Sequence, residues 1–141
     1  MSPVVCISLL NSCSCLSLAT ELVAALPLQM IHCLQGSAPH PGRLTGTVFS
    51  IEECLKEFKE KGNKLLTEAV WWYNAEVAFF AGDIDYAVKS LQQIPDASKQ
   101  PAATLMQTVL HYHKALIFIV DARRGGRNRQ ASIKTAKQIL K

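Results

Sequence analysis

Charge is nearly missing from the first part of this 141-residue chain. Before Ser50 the only formal charges are Glu21 and Arg43, although the whole chain holds 15 Lys or Arg and 11 Asp or Glu. Met1-Ser-Pro3 carries no basic residue, whereas a secretory leader opens on a basic stretch and a mitochondrial transit peptide is rich in arginine. An unbroken apolar run is also lacking. Ser8, Asn11, Ser12, Ser14, Ser17, Glu21 and Pro27 interrupt a segment otherwise rich in Val, Leu, Ile and Cys. A membrane-spanning helix asks for about twenty mostly apolar residues. Evenly spread cysteine pairs are absent too. The five cysteines are an odd number, and Cys6, Cys13, Cys15 and Cys33 all precede Cys54. A secreted disulfide framework distributes pairs through the fold, so free thiols in a reducing compartment fit better. The net charge of +4 is mild beside the dense basic stripe of an extended nucleic-acid binder.

What is present divides the chain into two materials. Residues 1–48 read as an apolar segment followed by a linker, Gly36-Ser-Ala-Pro-His-Pro-Gly-Arg-Leu-Thr-Gly46, dense in glycine and proline. The apolar segment is open to several readings: a leader, a membrane anchor over residues 4–34, or a helix from Leu18 to Leu34 packed on the domain behind it. Pro27 weakens that helix by removing one backbone donor. The segment also fits an alternative amino terminus joined to a piece of a longer repeat protein. Residues 49–141 read as a helical domain, expected to fold without residues 1–48. Hydrophobic residues make up 49% of the chain, enough for a packed core.

Within that domain Ser50-Ile-Glu-Glu53 fits a capping box, with Ser50 and Glu53 satisfying each other's amides. Ile51, Cys54, Leu55, Phe58 and Leu65 share one helical face, and Gly62-Asn63 ends or bends the helix. Thr67-Glu68 marks the next start. From Ala69 to Ala81 the chain is apolar nearly all round, which requires cover on more than one side. Gly82-Asp83 then turns the chain. Ile84, Ala87, Val88, Leu91 and Ile94 give an amphipathic helix stopped by Pro95. A second pair follows, with helical spacing from Leu105 to Val120, a turn at Arg123-Arg-Gly-Gly-Arg-Asn128, and Ile133, Ala136 and Leu140 on one face of a last helix. The fold class this implies is all-α, built from antiparallel helix hairpins.

The stretch from Trp71 to Ala87, Trp-Trp-Tyr-Asn-Ala-Glu-Val-Ala-Phe-Phe-Ala-Gly-Asp-Ile-Asp-Tyr-Ala, resembles one tetratricopeptide repeat (TPR). Trp71 matches the family's early aromatic, Ala75 and Ala78 the helix-contact positions, Gly82 the turn, Ala87 the alanine of the second helix, and Leu91 the bulky position after it. Small residues there let two helix backbones approach closely. Asn74 departs from the leucine the family prefers, and the proline expected after the second helix comes early as Pro95 or late as Pro101. In the second pair Ala115 and Ala131 take the parts of Ala75 and Ala87. The resemblance implies a TPR-like α-solenoid that binds other proteins.

Candidate chemistry is sparse. Cys13-Ser-Cys15 with His32-Cys33 lacks the doubled two-to-four spacing of structural zinc sites. His111 and His113 are two apart and do not share a helix face. No phosphate-binding glycine loop or local nucleophile signature occurs, so neither an enzyme nor a cofactor is expected. Arg123, Arg124, Arg127 and Arg129 crowd one turn and suit carboxylate or phosphate. Arg127-Asn-Arg-Gln-Ala-Ser132 has the arginine spacing of a basophilic kinase site, which makes Ser132 a phosphosite candidate on what reads as an exposed turn.

The expected function is a scaffold or adaptor that takes a peptide or helix of another protein in a hairpin groove, within a larger complex or alone. Tyr73, Lys114, Arg123, Arg124, Arg127 and Arg129 are the candidate contacts. The cytoplasm is the expected compartment, with the nucleus as the alternative. Two other classes compete: a membrane-tethered helical protein anchored by residues 4–34, and a nucleic-acid-associated helical subunit using the arginine turn.

Overall fold

The computed structural model describes residues 15–94, 105–125 and 128–140. Among the described residues there are six helices and no strand: α1 (Cys15–Leu34), α2 (Ile51–Glu60), α3 (Lys64–Phe80), α4 (Ile84–Gln92), α5 (Leu105–Arg123) and α6 (Arg129–Ile139). The all-α class holds. An isolated bridge pairs Thr45 with Ser50.

Helix starts follow side-chain chemistry, though not always the residues expected. Ser50 takes the extended backbone of an N-cap, yet its hydroxyl makes no capping bond, so the Ser50–Glu53 box does not form. α3 starts earlier than Thr67. Asn63 caps it by accepting the Leu66 amide at 3.2 Å, and the Thr67 hydroxyl donates to the Asn63 carbonyl at 2.8 Å. Leu65 therefore belongs to α3, not to α2. Asp83 caps α4 through the Tyr86 amide at 3.1 Å. Gly62 and Gly82 just before these caps have φ of 66° and 82°, a left-handed backbone that side chains disfavour. Pro95 and Pro101 lie outside the described residues.

Packing explains why α3 is apolar nearly all round. One face carries Val70 and Val77 into a core with Leu26 and Cys33 of α1, Ala38, Leu44 and Phe49 of the following segment, and Ile51, Leu55 and Phe58 of α2. The other face carries Trp72, Ala75 and Ala78 into a second core with Ala87 and Leu91 of α4, Ile117 and Phe118 of α5, and Ala136 of α6. α3 pairs with α4, α4 with α5, and α5 with α6, while α1 and α2 both pack on α3.

The segment expected to be a linker is instead built into the first core. Leu44 is fully buried, and its amide donates to Asn74 Oδ1 at 3.0 Å. The amides of Val48 and Phe49 donate to Oε1 of the fully buried Gln29 at 3.2 and 3.3 Å. Gln29 Nε2 donates to Cys33 Sγ at 3.7 Å, and the Cys33 thiol donates to the Arg43 carbonyl at 3.2 Å. Gly46 lies so close that a Cβ there would sit 2.4 Å from Gln29 Nε2. A division of the chain at residue 48 therefore cuts through a core. The helix expected from Leu18 to Leu34 is present within α1, with Pro27 inside it. Among the described residues no helix is long and apolar enough to cross a membrane. Residues 1–14, with Cys6, Cys13 and the start of the anchor considered above, lie outside the described residues.

Candidate functional site

α5 and α6 form a hairpin closed on its inner side and open on its outer side. Ala115, Ile117, Phe118 and Ala122 of α5 are buried, as are Ser132 and Ala136 of α6. The Ser132 hydroxyl donates to Asp121 Oδ2, tying the two helices together. On the open side lies a cleft of about 280 Å³. Ile119, Ala122, Ile133, Ala136 and Leu140 form its floor, and Arg123, Arg129 and Lys137 stand around it. Leu140 remains 62% exposed. All three cations are exposed, and among the described residues no acidic group forms an ion pair with any of them.

Charge is strongly asymmetric here. Residues 122–141 contain seven Lys or Arg and no Asp or Glu. The positive excess of the whole chain therefore resides in this hairpin, and the remainder is net acidic. Apart from Asp121, held by Ser132, no carboxylate of α5 or α6 lies within these helices.

Two other polar constellations join elements. Glu76 of α3 pairs with His113 Nδ1 of α5, bridging the two hairpins. Burial pushes the Tyr73 phenol above its ordinary range, with the negative charge of Glu76 adding to the effect, so the phenol stays neutral. At the start of α4, Arg43 donates to Asp83 Oδ2 at 3.0 Å and its guanidinium lies 3.3 Å from the centre of the Tyr86 ring. The Tyr86 amide, first, and Arg43 hold the Asp83 carboxyl below its usual value against the opposing effect of burial.

The residues singled out from sequence divide among these places. Arg123 and Arg129 meet at the cleft, and Arg124 is exposed beside it. Arg127 lies outside the described residues. Tyr73 is half-buried against the first core, away from the cleft lining, and Lys114 is half-buried on α5. Trp71 also packs on the first core, while Ala75, Ala78, Ala87 and Leu91 bury in the second and Gly82 makes the turn. Ala131 is exposed, unlike Ala87, so it does not serve as a close-contact residue. Ser132 is not on an exposed turn. It is 4% exposed and hydrogen-bonded within the hairpin, so a kinase would reach it only after α5 and α6 part. Lys137 and Ile119 carry no signal in the sequence pattern that marks them for the cleft. The spacing of Ile133, Ala136 and Leu140 already marked the α6 face that becomes the floor.

No family model matches this chain, and neither a curated protein nor a solved structure matches it.

Proposed function

We propose that the chain is a protein–protein interaction module, a scaffold or adaptor of TPR-like helical hairpins, and that the α5–α6 cleft receives a peptide or helix of another protein. The cleft carries this reading. An apolar trough between two helices, with cations above it and exposed Leu140 at one end, matches the way grooved helical proteins receive helical segments. The solenoid reading is supported by the order of pairing, in which α4 packs on both α3 and α5, and by the full burial of Ala75, Ala78 and Ala87. A module of this kind works by binding and carries no reaction of its own.

The test is site-specific photocrosslinking in cells. A photoreactive side chain at Ile133 should yield discrete protein adducts, and one at Lys56, exposed on α2, should not. Adducts from Ile133 that contain only RNA or lipid, or that equal those from Lys56, would refute the reading.

A further inference from the structure

Resting on that reading, we infer that the occupant of the α5–α6 cleft is an acidic amphipathic helix. The floor requires apolar side chains. Ile133 of α6 and Leu140, which caps the end of that helix, are seven positions apart, about 10 Å along a helix axis. That equals two turns, the distance between anchor residues at i and i+7 on a partner helix lying along the trough. The rim requires negative charge. Arg123 and Arg129 offer planar forks that take carboxylates in bidentate fashion, and Lys137 adds a third cation to the lining. Residues 122–141 hold no Asp or Glu, and among the described residues no carboxylate forms an ion pair with these three cations. A carboxylate brought onto this pole gains from every neighbouring cation, and a basic helix is repelled.

The lining also argues against nucleic acid. Single strands are held by bases stacked on aromatic rings, and no aromatic residue lines this cleft. Its volume is below that of an enclosed small-molecule site, and it is broadly open to solvent. Such a trough accommodates two or three side chains from a helix laid along it.

The experiment uses the full chain and two synthetic fluorescent peptides of about three heptads. Both carry leucine on one helical face. One has glutamate beside that face, the other lysine. Anisotropy should show saturable binding of the glutamate peptide, weakening as salt rises from about 50 to about 500 mM, and binding of the lysine peptide at least about tenfold weaker. The triple substitution Arg123→Ala, Arg129→Ala, Lys137→Ala should weaken the glutamate peptide by about tenfold or more with an unchanged melting temperature, since all three side chains are exposed. Leu140→Glu should weaken it as well. Equal binding of the two peptides, full binding by the triple variant, concentration-dependent self-association that blocks the cleft, or tighter binding to phosphatidylserine vesicles than to the peptide would each overturn the inference. Protein adducts at Ile133 together with no acidic preference would leave the interaction reading standing and remove only the partner's charge. Loss of both would remove both.

Discussion

At the scale of single residues, the fold depends on buried amides that answer backbone groups far away in the chain. Asn74 is fully buried in α3, its Oδ1 taking the Leu44 amide and its Nδ2 donating to Ser90 Oγ, both at 3.0 Å. A leucine at this position would leave the Leu44 amide buried without an acceptor. Asn74→Ala should destabilise by about 2–4 kcal/mol, combining an orphaned amide with a cavity, and Ser90→Ala by only about 1 kcal/mol. Urea denaturation measures both, and equal losses would contradict the account. Asp83 offers a test by pH. Its folded-state value lies below the ordinary 3.8, so its contribution is present above that pH and is lost as acid protonates it below about pH 4. Asn at this position still caps a helix but carries no charge for Arg43. Asp83→Asn should therefore lower the urea midpoint modestly at neutral pH, and that deficit should close toward the acid end, where the parent loses the same charge. Parallel acid profiles for the two proteins would rule this out.

At the scale of elements, the hairpins were legible because their signals are local. Spacing of apolar residues marked the faces of α2 to α6, and Gly82-Asp83 marked a turn that the structure forms with a positive φ and an aspartate cap. The segment from Gly36 to Gly46 misleads for the same reason. Glycine and proline announce irregular backbone, but whether that backbone is a tether or a wedge depends on Gln29 and Asn74, up to 30 residues away. Half of the cleft was legible too. Ile133, Ala136 and Leu140 share a face by spacing, whereas their facing Ile119 and Ala122 emerge only when α5 and α6 pack. The close approach of α3 and α4 gives a direct test. Ala75 and Ala87 are both fully buried between helices, so leucine at either should cost about 1–3 kcal/mol by overpacking. Leucine at the exposed Ala131 should stay within about 0.5 kcal/mol. Thermal melts of the three variants would decide, and a loss at Ala131 equal to that at Ala87 would contradict the pairing described.

At the scale of the whole molecule, α3 is a wall shared by two cores, and what lies before Phe49 completes one of them. Leu26, Cys33, Ala38 and Leu44 all bury there. Removing residues 1–48 would uncover Val70 and Val77 on α3 and Ile51, Leu55 and Phe58 on α2. Each aliphatic side chain returned to water forfeits about 1.5–3 kcal/mol, and a whole domain is stable by only about 5–15 kcal/mol. The loss is therefore comparable to the total. The truncated chain should bind a hydrophobic dye and lose its sharp melting transition, with residual helix from α4 to α6. Truncation also changes length and solubility, so Leu44→Ala is the sharper measurement. In a tether this substitution would be neutral. At a fully buried position it should cost about 2–5 kcal/mol through lost contacts and a cavity. A melting temperature for Leu44→Ala equal to that of the parent would return residues 36–48 to the status of a linker.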